Sequence, residues 1–209
     1  MQGEPMRLRT ALWGVVSVAA LAATLVFTRG AGAADLGYPS SFGPPTAPVT
    51  QPIPFLSEVR LGTFAHDPAS PENGSVDLSG EILFAKPFSA PGSAWDFLLP
   101  RPSIGGTLNF AGKTSEAFAG LTWTYDITQS IFVDAEFGGS VNNGKTGVIV
   151  PPGHNAMGCN WSFRESGSIG YRINANWDVT ATIEHMSNAG ACSQNRGLTN
   201  YGMRIGYRF

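Results

Sequence analysis

Residues 121–138 read LTWTYDITQSIFVDAEFG. Before the Thr128-Gln129 pair, Leu121, Trp123, Tyr125 and Ile127 alternate with Thr122, Thr124 and Asp126. After it, Ile131, Val133, Ala135 and Phe137 alternate with Asp134, Glu136 and Gly138. A period of two is that of a β-strand, whose successive side chains leave on opposite faces, and a short polar connection between two such runs makes an antiparallel hairpin. One face of this hairpin is apolar and aromatic. The other is Thr, Gly and acid.

The same pattern runs outward in both directions. Segments are expected at about 57–65, 75–85, 102–111, 115–127, 130–141, 161–173, 176–188 and 199–209. Their apolar faces carry residues such as Val59 and Leu61, Leu78 and Ile82, Ile104 and Leu108, Ile169 and Tyr171, Trp177 and Ile183, Met203 and Ile205. The opposite faces are rich in Gly and hold both signs of charge: Glu58, Asp77, Glu81, Asp134, Glu136 and Glu184 with Arg60, Arg164, Arg172, Arg204 and Arg208. Small residues and paired charges suit a crowded lumen, where each buried ion needs a partner. Aromatics near strand ends suit the two membrane interfaces. An even number of antiparallel strands closes a sheet without edges. The reading is an all-β fold, an eight-stranded antiparallel transmembrane β-barrel occupying 55–209. The alternative is a lipocalin-like soluble barrel with the faces reversed.

Composition agrees. Of 209 residues 13% are charged, against about 25% in typical globular chains, while Gly numbers 26 and aromatics reach 11%. A net charge of −2 offers no basic footprint, so nucleic acid is not an expected partner. A hydrophobic content of 43% argues against disorder. Residues 1–34 read as an export signal: Arg7 and Arg9, an apolar run from Ala11 to Phe27, then Ala31-Gly32-Ala33 as a cleavage pattern. Residues 35–54, with six prolines, read as an extended periplasmic lead-in. Beyond the signal no run approaches the ~18 apolar residues of a membrane helix. The expected location is the outer membrane of a Gram-negative cell.

Turns at Thr128-Gln129 and Asn174-Ala175-Asn176 are short, whereas 66–74, 111–114, 142–160 and 188–198 make longer loops on the opposite side, the outer one. Cys159 and Cys192 fall in two of those outer loops, flanking adjacent strands. In an exported protein a disulfide is the natural reading, with two free thiols as the alternative. His66, His154 and His185 share no ligand-type spacing, so no metal site is expected.

His185 and Ser187 lie on the apolar face near the outer end of the seventh segment, within Ile183-Glu184-His185-Met186-Ser187-Asn188-Ala189-Gly190. A polar pair on a face that meets lipid costs free energy unless it has a use. Histidine as base and serine as nucleophile is the logic of ester hydrolysis. Glu184 has the opposite parity and belongs with the interior charges.

The run His185 to Gly190, followed by an outer loop and a last strand ending Tyr207-Arg208-Phe209, resembles the lipid A 3-O-deacylases, also called acyloxyacyl hydrolases, which are eight-stranded outer-membrane barrels. The opening Glu58-Val59-Arg60-Leu61-Gly62 with His66-Asp67 fits as well. The resemblance implies an esterase that removes an ester-linked 3-hydroxyacyl chain from lipid A of the outer-leaflet lipopolysaccharide, without cofactor. It implies His185 as base, Ser187 as nucleophile, and Asn188 with backbone amides up to Gly190 as the oxyanion hole. Outer-membrane lipid and a second copy of the chain are candidate partners. Family members orient the histidine with a glutamate at the start of the last strand, where this sequence has Thr199, followed by Asn200.

Strand register offers another acid. Pairing Ile173 with Trp177 and stepping outward along both strands puts Glu165 across from His185, on the same face and at a Cβ spacing of ~4.5–5.5 Å. Glu165 is therefore the candidate acid, with Thr199 and Asn200 as alternatives. The competing function is a non-enzymatic barrel, structural or adhesive, carrying a vestigial motif.

Overall fold

The computed structural model describes residues 55–88 and 93–209; the export signal and the Pro-rich lead-in lie outside them. Eight strands follow in chain order: β1 (Leu56–Ala65), β2 (Val76–Phe84), β3 (Arg101–Asn109), β4 (Glu116–Asp126), β5 (Ile131–Asn142), β6 (Trp161–Arg172), β7 (Trp177–Ser187) and β8 (Leu198–Arg208). Each pairs antiparallel with the next, and β8 returns to β1, so the barrel is closed. The only helical element among the described residues is a 3₁₀ turn, Asp96–Leu98, in the connection from β2 to β3. Every strand expected from the alternation is present, its ends displaced by no more than about two residues, the usual uncertainty of strand boundaries.

Side-chain exposure decides which way the faces point. Leu61 (57%), Leu108 (53%) and Met203 (63%) are exposed, whereas Arg60 (2%) and Glu81 (2%) are buried. A water-soluble barrel has the reverse arrangement, so the lipocalin-like alternative is excluded. With no water in the bilayer core, strand N–H and C=O groups must find partners within the protein, and a closed antiparallel ladder has no free edge to leave unpaired. Trp177, Tyr207 and Phe209 stack edge to face at the end where the chain finishes, as an interfacial girdle.

The lumen is a network of ions. Arg164 binds Glu136 and Glu184, both at 2.6 Å, and Glu116 at 3.2 Å. Arg204 joins Glu81 to Glu184 at 3.0 Å each. Arg60 pairs with Glu58 and with Asp134 at 2.8 Å. Glu184 thus takes the interior place its parity implied. Alternation had suggested a lumen of only small and polar residues, but Phe64, Leu83, Phe118 and Phe132 are also buried there. The three phenyl rings serve the guanidinium groups, with Arg164 lying 3.6 Å from the Phe118 centroid, Arg172 4.7 Å from that of Phe132 and Arg204 4.9 Å from that of Phe64. Glycine makes the space: a Cβ on Gly202 would overlap the Phe64 ring.

Candidate functional site

The outer end of β7 carries both the histidine and the serine, and β8 beside it carries Thr199. Across the β6–β7 ladder Glu165 pairs with His185 and Phe163 with Ser187; across β7–β8, His185 pairs with Thr199. The register from Ile173 and Trp177 therefore holds along the strand, and His185 stands between two candidate partners.

It bonds to one of them. His185 Nδ1 lies 2.8 Å from Thr199 Oγ1. Glu165 is exposed, and its carboxylate makes no hydrogen bond among the described residues. Asn200 points the other way: it is 1% exposed, donates from Nδ2 to Glu184 Oε1 at 3.1 Å, and accepts from the Asp67 N–H at 3.0 Å. Strand parity is the reason, since Asn200 pairs with lumen-facing Glu184. As an orienting group for His185 it is excluded.

Ser187 shares the outward face, and its hydroxyl makes no hydrogen bond among the described residues. Phe163 directly opposes it, stacked on Phe137 with centroids 6.3 Å apart and edge to face with Trp161 at 5.8 Å. Beside these rings the outer wall forms a shallow apolar depression floored by Ala117, Ala119 and Gly139. On the other side of His185, Asp67, Arg196, Thr199 and Tyr201 line a small pocket.

The turn after Ser187 is built by Asn188, which is 1% exposed. Its Nδ2 donates to the carbonyls of Met157 and Gln194, both at 2.7 Å, and its Oδ1 accepts from the Gly190 N–H at 3.0 Å and the Cys192 N–H at 3.4 Å. Ala189 (φ 53°) and Gly190 (φ 81°) are consecutive left-handed residues. The Asn188 amide and the Gly190 N–H are thus engaged inside the turn, and Ala189 N–H is the donor of this stretch with no partner among the described residues. Cys159 and Cys192 form a disulfide with Cα atoms 6.2 Å apart, tying this loop to the one before β6.

Beyond the strand ends a polar cap covers the outer mouth. His66, 1% exposed, bonds Asp77 at 2.7 Å and Glu72 at 2.9 Å. Burial works against its charge, but hydrogen bonds to Asp77 and Glu72 outweigh it and raise the His66 pKa to about 9. Burial likewise works against the Glu72 carboxylate, but bonds from His66 and the N–H groups of Asn155 and Thr114 hold its pKa at about 2. The sequence reading did not find this cap. Gly197 escaped it too: at φ +67° its backbone lies against the His185 ring, where a Cβ would stand 3.1 Å from Cε1. A glycine just ahead of the last strand was the available signal.

The model of the lipid A 3-O-deacylase family, PagL, matches residues 93–208. The chain belongs to the lipid A 3-O-deacylase family. Membership and the barrel fold place it in the outer membrane, in a family whose substrate is lipid A. Among solved structures, the outer-membrane enzyme PagL is 15% identical with a TM-score of 0.57, over 73% of this chain and 100% of that one. A de novo designed transmembrane β-barrel is 13% identical (TM-score 0.49; 75% of this chain, 97% of the other). The Yersinia pestis outer-membrane protein Ail is 11% identical (TM-score 0.45; 74% and 99%). At these identities the likeness is one of fold. No curated protein matches the chain significantly.

Proposed function

We propose that this deacylase-family barrel hydrolyses an ester-linked 3-hydroxyacyl chain of lipid A, with Ser187 as nucleophile and His185 as base. The observation carrying this reading is an outward-facing imidazole held at Nδ1 by Thr199, 2.8 Å away, with a serine on the same face of the same strand. When Thr199 Oγ1 accepts the Nδ1–H, Nε2 keeps the lone pair a general base needs. Ser187 Oγ attacks the ester carbonyl and its proton passes to Nε2. The tetrahedral oxyanion is met by turn amides, with Ala189 N–H available and Asn188 and Gly190 shaping the turn around it. The bond to the sugar oxygen breaks as Nε2 returns the proton to that oxygen. Water then attacks the acyl-serine, with His185 taking its proton and handing it to Ser187 Oγ as the acyl–Oγ bond breaks and the 3-hydroxy acid leaves.

A lipid substrate reaches the outside of a barrel by lateral diffusion. The acyl chain lies along the Phe163, Phe137 and Trp161 wall, and the phosphosugar lies toward Arg196. Delivery requires export, for which we read residues 1–34 as a cleaved signal and 35–54 as a periplasmic lead-in. The test is mass spectrometry of lipid A from cells producing the wild type, Ser187→Ala or His185→Ala. Loss of one 3-hydroxyacyl chain is expected with the wild type alone. Unmodified lipid A in all three, with the barrel folded in the outer membrane, would favour the non-enzymatic reading.

A further inference from the structure

The closing ladder between β1 and β8 ends at Ala65 and Tyr201. Continued outward, the same register would set His66 against Asn200 and Asp67 against Thr199. At Asp67 the chain instead turns, with φ +35° in the left-handed region. Side chains take over the bonds that the ladder would have made. The Asp67 N–H donates to Asn200 Oδ1 at 3.0 Å, and the Thr199 N–H donates to Asp67 Oδ1 at 3.2 Å. The second carboxylate oxygen, Oδ2, accepts from Asn155 Nδ2 at 2.6 Å.

Asp67 is 6% exposed and makes no ion pair among the described residues. A buried carboxylate without a cation is costly even when hydrogen-bonded. One of its partners is Thr199, whose hydroxyl holds the ring nitrogen of His185. During ester hydrolysis that ring takes up a proton, and a fixed negative group one residue away is the complement such an imidazolium requires.

We propose that Asp67, reaching across from the β1 end, is the positioning carboxylate of the site and acts on His185 through Thr199. The threonine supplies the contact at Nδ1. The aspartate fixes the threonine's backbone and contributes the charge that a hydroxyl lacks. A task that one acidic side chain on β8 could perform is thereby divided between two strands that meet at the barrel's closure. This rests on the proposed roles of His185 and Ser187.

The test is a double-mutant cycle in full-length protein refolded into detergent and assayed on lipid A. Asp67→Asn is expected to lower kcat about tenfold with KM within about twofold. Thr199→Val lowers kcat comparably, and adding Asp67→Asn to Thr199→Val costs less than about twofold more, because a ring no longer held at Nδ1 gains little from a carboxylate that positions it through Thr199. A purely structural role would lower the folded fraction alike in both backgrounds. Should Asp67→Asn not fold, Asn155→Ala removes the bond to Asp67 Oδ2 along with those to Ser70 Oγ and the Gly197 carbonyl, and the same dependence on Thr199 is expected. Unchanged kcat in a folded Asp67 or Asn155 variant, or losses that multiply independently of Thr199, would overturn the proposal. Ser187→Ala run in parallel separates the two levels. An inactive Ser187→Ala beside an insensitive Asp67→Asn refutes the relay alone, whereas an active Ser187→Ala refutes the site and the relay with it.

Discussion

Gly197→Ala tests whether the position of the His185 ring governs turnover. Gly197 sits at φ +67°, where an L-residue with a Cβ pays roughly 1–2 kcal/mol. The new Cβ would stand 3.1 Å from His185 Cε1, 3.5 Å from Nε2 and 3.1 Å from the Met186 carbonyl oxygen. The ring must therefore retreat by a few tenths of an ångström. It is tethered at Nδ1 by the 2.8 Å bond to Thr199, so the retreat is a rotation about that tether, and the edge that moves is the one carrying Nε2. Misplacing a reacting group by about 1 Å costs on the order of 100-fold, so this smaller swing should lower kcat about tenfold. Gly112→Ala is the control. It carries the same kind of backbone penalty at φ +78°, but its Cβ would meet nothing within 4 Å. The assay is kcat and KM on lipid A in detergent, with the gel shift between heated and unheated samples reporting barrel folding. A folded Gly197→Ala with the kcat of Gly112→Ala would refute the reasoning.

Three further outcomes are expected. Thr199→Val should cost more activity than Glu165→Gln, since Thr199 is bonded to His185 and Glu165 is not; kcat for the two variants decides it. Reducing Cys159–Cys192, which closes a loop of sequence separation 33, should release about 4 kcal/mol of chain-entropy stabilisation in the outer loops, read as faster protease nicking there while the strands stay protected. The outer cap should depend on pH in a fixed sense. The His66 pKa, raised from 6.5 to about 9, gives stability fully present below pH 6.5 and lost as pH rises through 9, on the order of 3 kcal/mol. The Glu72 pKa, lowered from 4.5 to about 2, gives stability present above pH 4.5 and lost as pH falls through 2. Hydrogen exchange of residues 66–75 should therefore be slowest between about pH 4.5 and 6.5, after correction for the intrinsic rate, and the cap should loosen above about pH 9.

Much of the barrel was legible because its cause is local. A strand alternates whatever it pairs with, so Leu121 to Ile127 and Ile131 to Phe137 declare their faces without reference to the rest of the chain. The hairpin register was legible too: Asn174-Ala175-Asn176 fixes how β6 meets β7, and counting outward reaches Glu165 opposite His185. What counting could not supply was the choice between two residues that both flank the histidine. Glu165 and Thr199 are equivalent in register, but the ring turns toward Thr199, with the Gly197 backbone lying along its Cε1 and Nε2 edge. The Asn188 turn was legible as a motif, whereas the engagement of its amide with Met157 and Gln194 was not, because those partners come from two loops.

By itself, then, the sequence determined the strands, the two faces, the even closure and the placing of His185 and Ser187 on one outward face, since all follow from period-two geometry and short turns. Only the tertiary structure decided which opposite charges meet. Arg164 gathers Glu116, Glu136 and Glu184 from three other strands, and that choice depends on the stagger at which the sheet closes. It also decided what stands behind the histidine. Asp67 and Thr199 lie far apart in the chain and come together where β8 returns to β1, and a contact made by barrel closure leaves no periodic trace in either segment.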